Sequence, residues 1–268
     1  MRLSKLLEKY GQLAIFPISL MILLATFLVL DPVAPGPAFS EEVDCLSCHE
    51  DLKKEKVVHP AVDMGCATCH SAIDATDIPH KKTNNIAKGL SAEQPDLCYN
   101  CHDKAKFTKA TVHAAVGMGC TGCHNPHSSK NARLLVAALP DLCYNCHDKA
   151  EFTKKNVHMP VASGECLTCH TPHSSDFPFL LNNQPLKVCL ECHEDVKNRP
   201  HAIVGFTTTK GHPIGEPIKE GKVPDDPARP GKKFYCGSCH NPHSSDSPRL
   251  FRYKGETSFD LCMHCHKM

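Results

Sequence analysis

Tryptophan is absent and only 6% of residues are aromatic, so this 268-residue chain has little of the material that usually fills a core. A surplus of charge is also missing. Thirty Lys and Arg stand against 29 Asp and Glu, which excludes the basic surface that phosphate backbones require, so no nucleic-acid partner is expected. No stretch shows the alternation of apolar and polar residues that marks a half-buried sheet. No cysteine stands alone. What the chain has instead is 18 Cys and 19 His. Cysteine at that density first points to a disulfide scaffold, a device of domains too small to bury a core. The spacing contradicts that reading.

Every Cys belongs to a Cys-x-x-Cys pair followed at once by His. The nine pairs are Cys45/Cys48, Cys66/Cys69, Cys98/Cys101, Cys120/Cys123, Cys143/Cys146, Cys166/Cys169, Cys189/Cys192, Cys236/Cys239 and Cys262/Cys265. The histidines that follow them are His49, His70, His102, His124, His147, His170, His193, His240 and His266. Chance would supply roughly 0.1 such motif in a chain of this composition. A disulfide framework has no reason to place His after every second Cys. Zinc knuckles need four ligands and do not demand that His. A thioredoxin-like pair would occur once. The pattern states covalent attachment of c-type haem: two thioethers hold the porphyrin and the adjacent His reaches the iron from one face. Nine haem c groups are expected.

The amino terminus sets the compartment. Arg2, Lys5 and Lys9 precede an apolar run from Leu13 to Leu30, and Ala38-Phe39-Ser40 fits a small-x-small cleavage site. Residues 1–40 therefore read as a secretory signal peptide. The alternative is an uncleaved anchor, because the run at 13–30 is long enough to nearly span a bilayer. Either way residues 41–268 lie outside the cytoplasm, in the periplasm or the extracellular space. The leader holds three basic and two acidic residues, so the remaining 228 carry 27 of each sign.

Those 228 residues allow about 25 for each haem, too few for a conventional core around each. The expected fold is mainly irregular, with short α-helices wrapped around a haem stack and little or no β-sheet. An internal repeat organises it. Residues 95–113 match 140–158 at sixteen of nineteen positions. The second motif of each repeat continues in its own pattern, as Cys123-His124-Asn125-Pro126-His127-Ser128-Ser129, Cys169-His170-Thr171-Pro172-His173-Ser174-Ser175 and Cys239-His240-Asn241-Pro242-His243-Ser244-Ser245. Residues 41–268 thus divide into four paired-haem repeats, at 45–80, 98–127, 143–173 and 189–243, plus a terminal haem at 262–266. A Gly- and Pro-rich loop at 200–235 interrupts the fourth, as a surface excursion or a docking segment. Asp96 and Asp141 are placed to cap short helices that carry haem motifs.

Ten His remain once the motifs are served. His264 lies inside Cys262-Met263-His264-Cys265, where the haem linkage constrains it. The other nine match nine irons as distal ligands: His59, His80, His113, His127, His158, His173, His201, His212 and His243. Met64, Met118 and Met159 are the competing ligands. His127 follows His124 by three residues, a reach of at most about 11 Å, too short to pass around a porphyrin. His127, His173 and His243 should therefore serve a neighbouring haem. Ligation by His on both faces lowers the potential relative to His/Met ligation and leaves no vacant site for a substrate. That favours electron transfer over catalysis.

With its Cys-x-x-Cys-His-x-Pro-His-Ser-Ser pattern, followed by Leu-Cys-x-x-Cys-His, the chain resembles the doubled-CXXCH multihaem c-type cytochromes. These are electron carriers of anaerobic, metal- and sulfur-respiring bacteria. The resemblance covers residues 45–268. It is strong at 98–193, weaker at 45–80 where Pro79-His80 is displaced, and weaker across 200–235. It implies relay of electrons from inner-membrane quinol oxidase-type donors to periplasmic or outer-surface cytochromes. Two alternatives stand beside a carrier. One is a subunit of a cytochrome filament or outer-membrane conduit, in which copies of the chain share ligands. The other is a multihaem oxyanion reductase, which needs an iron with an open face, sometimes marked by Lys in place of the motif His. No motif here carries that Lys.

Overall fold

The computed structural model describes residues 43–198, 225–255 and 257–266. The segments read as signal peptide or anchor, and most of the Gly- and Pro-rich loop, lie outside the described residues. Regular structure is short throughout. The α-helices are α1 (Asp96–Tyr99), α2 (Asp141–Tyr144), α3 (Met159–Ala162), α4 (Pro185–Leu190), α5 (Cys236–Cys239) and α6 (Ser258–Met263). Single 3-10 turns fill many of the intervals. Among the described residues no helix is long and apolar enough to cross a membrane.

The haem motifs begin on these short pieces. Cys98, Cys143, Cys189, Cys236 and Cys262 sit on α1, α2, α4, α5 and α6, while Cys45, Cys66, Cys120 and Cys166 open 3-10 turns. In all nine motifs the His amide bonds back to the first Cys carbonyl, as at His102 to Cys98 and His124 to Cys120. One turn of helix thus spans each motif from its first Cys to its His. The capping expectation fails. Pro95 and Pro140 occupy the cap positions of α1 and α2, and Asp96 and Asp141 are the first helical residues, without a capping hydrogen bond from the side chain before them. Their carboxylates still complement the positive end of the helix.

Strands are two residues long and pair antiparallel: β1 (Val57–Val58), β2 (Ile73–Asp74), β3 (Lys81–Lys82), β4 (Thr111–Val112), β5 (Ser128–Ser129), β6 (Asn156–Val157), β7 (Ser174–Ser175) and β8 (Ser244–Ser245). The order is β1–β5, β2–β3, β4–β7 and β6–β8. Among the described residues, β2–β3 is the hairpin. The other three tie one repeat to the next, with Val58 opposite Ser128, Val112 opposite Ser174 and Val157 opposite Ser244.

The paired serines explain themselves here. Ser174 Oγ donates to the Lys106 carbonyl (2.9 Å) and Ser244 Oγ to the Glu151 carbonyl (2.8 Å), both in the preceding repeat. The second serine closes its own loop, as Ser129 Oγ does by donating to the Leu135 carbonyl (2.6 Å). These hydroxyls are buried, whereas the buried apolar residues among those described are Ala72, Leu190 and Phe234. Three such side chains cannot hold a chain of this length together. A fold so poor in apolar contacts fits a chain whose filling is a set of large apolar groups attached through the Cys-x-x-Cys-His motifs.

At the carboxyl-terminal end, Asp225 bridges Lys233, closing the described part of the loop. Within it, buried Asp226 accepts from Arg229 Nε (2.7 Å), and Arg229 Nη2 donates to Ser238 Oγ (3.1 Å). That pair braces the Cys236–Cys239 turn. Burial alone would raise the Asp226 carboxyl. Hydrogen bonds from Ser238, Arg229 and the Ala228 amide outweigh it and hold the group below its ordinary range.

Candidate haem sites

Seven of the motif histidines face a second imidazole. The pairs are His49/His80, His59/His102, His70/His127, His113/His147, His124/His173, His158/His193 and His170/His243, with ring centres 5.9–6.1 Å apart. A metal held between two imidazoles needs two bonds of about 2 Å, and each ring centre lies about 1 Å behind its nitrogen, which totals roughly 6 Å. The rings therefore fit a single iron between each pair. At all seven the facing group is an imidazole. Met64, Met118 and Met159 are exposed instead.

The orientation of the rings is fixed by carbonyls. A carbonyl only accepts, so a ring whose Nδ1 touches one carries its proton there and keeps Nε2 free for a metal. His59, His113 and His158 make this contact to the carbonyls of Pro126, Pro172 and Pro242, each at 3.0 Å. His80 makes it to Asp77 (2.7 Å). Among the motif histidines, His70, His124, His170 and His240 point Nδ1 at the carbonyls of Lys88, Arg133, Phe179 and Arg249, at 2.8–3.0 Å. Those four residues all have left-handed backbone, with φ between 54° and 60°. Such conformations are strained outside glycine and persist where the surroundings demand them. Here the demand is visible: the turn aims a carbonyl at an imidazole.

Sequence reasoning passed over these four carbonyls. Their signal was present in part, because Arg133, Phe179 and Arg249 each follow their motif His by nine residues. Lys88 follows His70 by 18 and breaks the rule. The Asp226–Arg229 brace had no such signal.

Burial holds the imidazoles of His127, His170, His173 and His240 below the ordinary histidine range, and that of His243 down to about 4. Neutral imidazole is the ligating form. His264 stacks on Tyr253 at 4.2 Å. His201 and His212 lie outside the described residues.

None of the eighteen cysteines forms a disulfide. Their sulfurs instead mark the neighbourhood of successive motifs. The thiols of Cys45 and Cys66, of Cys98 and Cys120, of Cys143 and Cys166, and of Cys189 and Cys236 are near enough to perturb one another's ionisation. Between these couples Cys69 and Cys98, Cys123 and Cys143, Cys169 and Cys189, and Cys239 and Cys262 fall within electrostatic reach of one another. Each motif thus lies beside the motif before it and the motif after it in the chain.

The eighteen anchors are not equally covered, as a uniform reading of the nine motifs would have them. Cys48, Cys101, Cys146, Cys192 and Cys265 are exposed, whereas Cys69, Cys123, Cys169 and Cys239 are half-buried. The exposed five are the second cysteines of the first motif in each couple and of the terminal motif. The cause is the chain that follows. After the second motif of each couple a loop folds back, and an amide from it donates to the cysteine carbonyl: Ser91 to Cys69 (2.8 Å), Val136 to Cys123 (3.0 Å), Asn182 to Cys169 (2.9 Å) and Arg252 to Cys239 (2.8 Å). After Cys48, Cys101, Cys146 and Cys192 the chain instead runs straight into a 3-10 turn, at Glu50–Lys53, Lys104–Lys106, Lys149–Phe152 and Glu194–Asn198, and leads away. The returning loop therefore covers the second cysteine of four motifs, while the first cysteine of every motif is half-buried.

Short helices, two-residue strands and repeated Cys-x-x-Cys-His turns with a facing imidazole define a multihaem c-type cytochrome. The profile of the Doubled CXXCH motif family matches residues 59–107, 113–152, 158–198 and 226–268. That is more than half of the chain, which belongs to this family and carries covalently bound haem c. Each matched segment joins the second motif of one couple to the motif that follows it, the last reaching the terminal motif at Cys262, so the family unit is offset by one motif from the couples. Multiheme cytochrome MtrA of Shewanella baltica (strain OS185) is 33% identical over 92 residues, covering 32% of this chain and 25% of that protein. The match spans about a quarter of the relative's length.

Proposed function

We propose that this protein relays electrons through nine covalently attached haems, most or all of them held by two histidines, in the anaerobic respiration of a bacterium. The observation that carries this reading is the set of seven imidazole pairs at one common spacing. Haem c, once attached, supplies a one-electron ferric/ferrous couple at each iron. The chain's own residues do the rest. The motif cysteines would anchor the haem, His59, His80, His113, His127, His158, His173 and His243 would supply a second imidazole to the iron, and the carbonyls fix which ring nitrogen is free. His201 and His212 are the candidates for the two remaining irons. An enzyme acting on an oxyanion needs an exchangeable axial position. At the seven paired sites, rings meeting across the metal position would leave none.

The sulfur contacts support a single file of sites in chain order, entered at one end and left at the other. The partners would be other redox proteins: inner-membrane quinol oxidase-type donors and periplasmic or outer-surface cytochromes. Export through residues 1–40, cleaved or kept as a tether, would place the relay between them.

Two measurements on the purified holoprotein test this. Intact mass should exceed the polypeptide by nine haems. The ferric absorption and electron paramagnetic resonance spectra should be low-spin throughout. A substantial high-spin fraction would overturn full ligation and favour a reductase.

A further inference from the structure

Three of the imidazole pairs are built on one frame. In His70/His127, His124/His173 and His170/His243 the motif His points Nδ1 at a carbonyl from a left-handed residue. The facing His follows Pro and precedes two serines. Its backbone carbonyl accepts from the amide of His59, His113 or His158, at 2.8, 2.8 and 3.0 Å. Yet the ring planes meet at 15° in the first pair and at 34° and 41° in the other two.

The frame does not account for that difference, but a neighbouring ring does. Phe107 packs on His173 (4.8 Å between centres, planes at 49°), and Phe152 packs on His243 (4.9 Å, 46°). Each Phe is backed by a tyrosine of the preceding haem motif, Tyr99 at 5.5 Å and Tyr144 at 5.7 Å. Tilted contacts of this kind hold an aromatic ring at a set angle. In the first couple the matching position, nine residues after the first Cys, is Lys54, and the tyrosine is Leu46. Lys54 turns away to Glu50 (2.8 Å) and Asp51 (2.6 Å). Among the described residues the ring contact of His127 is with His70.

We propose that Phe107 and Phe152 are positioning residues that set the angle between the two axial imidazoles at His124/His173 and His170/His243, and so give these two sites an electronic structure different from that of His70/His127. This rests on the bis-histidine reading above. Each imidazole lifts the degeneracy of the two iron orbitals of π symmetry along its own plane. Parallel planes add their effects, and rotation toward a crossed arrangement cancels them. Pairs near 10–22°, which include His59/His102, His113/His147 and His158/His193, should give rhombic low-spin spectra. The pairs at 34° and 41° should give more axial spectra with a larger low-field g value. His49/His80 at 46° joins that second class by a different construction.

The test is electron paramagnetic resonance of the ferric holoprotein. Phe107→Leu and Phe152→Leu should each move the intensity of one haem from the low-field class to the rhombic class, with the total low-spin intensity unchanged. Phe107→Tyr and Phe152→Tyr, which keep the ring, should leave the spectrum as in the parent. Lys54→Phe should move one haem the opposite way, and it decides the matter if the Leu variants do not fold. Leu variants with the parent spectrum, or Lys54→Phe with no added low-field intensity, would overturn the proposal. A parent protein that is largely high-spin would instead overturn the bis-histidine reading.

Discussion

The amino-terminal motif and the interior motifs solve one ligand problem in two ways. His49 faces His80, which lies just before β3 in the local hairpin and is held by the Asp77 carbonyl of the same segment. Interior motif histidines face rings from a neighbouring repeat. His102 and His147 face His59 and His113 from upstream, while His70, His124 and His170 face His127, His173 and His243 from downstream. An interior repeat is therefore incomplete by itself, and its stability resides in its interfaces, as in repeat proteins generally. The amino-terminal motif has one neighbouring motif, and its facing ring comes from its own segment, supplied by the displaced Pro79-His80. The same logic explains why the family unit and the couples are offset: each interior motif has a neighbouring motif on both sides, so two divisions of the chain are equally natural.

The largest effect should come from removing a shared ligand. His173→Ala leaves His124 without its facing ring and takes away the Phe107 contact between repeats. His80→Ala deprives His49 alone. Both should convert one haem to a high-spin ferric signal. Because metal ligation is also folding energy, the interior change should cost about 3 kcal/mol and lower the melting temperature by roughly 6–12 °C. The terminal change should cost about 1 kcal/mol. Thermal melts followed by Soret absorbance would show it. Equal losses would break the distinction between an interlocked interior and a self-contained end.

Much of the site was readable before any coordinates. The Cys-x-x-Cys-His motifs are local chemistry and need no fold to be seen. The short reach from His124 to His127 excluded a shared iron by distance alone, and the structure places His127 against His70. Which ring meets which was not readable. That depends on the register of two-residue strands, Val58 on Ser128 and its equivalents, and no two-residue segment carries a pairing signal in its own sequence. The unequal cover of the anchors was hidden for the same reason. Cys101 and Cys123 both close a Cys-x-x-Cys-His motif, and the loop that returns at Val136 lies against Cys123 alone. The cap assignment at Asp96 failed because a one-turn helix is placed by the haem motif at its end, and its start shifts by a residue without penalty.

A smaller effect should follow at the turn that orients the motif imidazole. Its second residue is Gly89 in the first repeat but Leu134 and Leu180 in the interior, all left-handed at φ 57–60°. Interior sites hold a side chain there. Gly89 has no room for one, because an added Cβ would meet the side chain of Ile73 and lie 2.7 Å from the Ala72 carbonyl oxygen. Gly89→Ala should therefore destabilise by about 2 kcal/mol, combining the strain of left-handed backbone with that contact. The loss should be local, weakening the carbonyl contact of Lys88 to His70 before any interior site. Denaturant unfolding of the variant, read together with the high-spin fraction, would locate it. A stability equal to the parent would mean that this turn is as open as its interior counterparts.

The smallest effects separate what holds the interior repeats together. Lys109 touches the neighbouring repeat twice. Its amide donates to buried Ser174 Oγ (3.3 Å), which itself donates to the Lys106 carbonyl. Its ammonium reaches Asp176 (3.0 Å), with both side chains largely in solvent. Ser174→Ala takes from the Lys109 amide and the Lys106 carbonyl their part-buried partner and should cost about 1–2 kcal/mol. Lys109→Ala removes only the exposed pair, should cost less than about 0.5 kcal/mol, and should cost nothing measurable in high salt, where such pairs are screened. Urea titrations of the two variants at low and high ionic strength would rank them. If Lys109→Ala proved as costly as Ser174→Ala, and salt reduced its effect, the repeats would be joined by charge at the surface rather than by hydroxyls and imidazoles within.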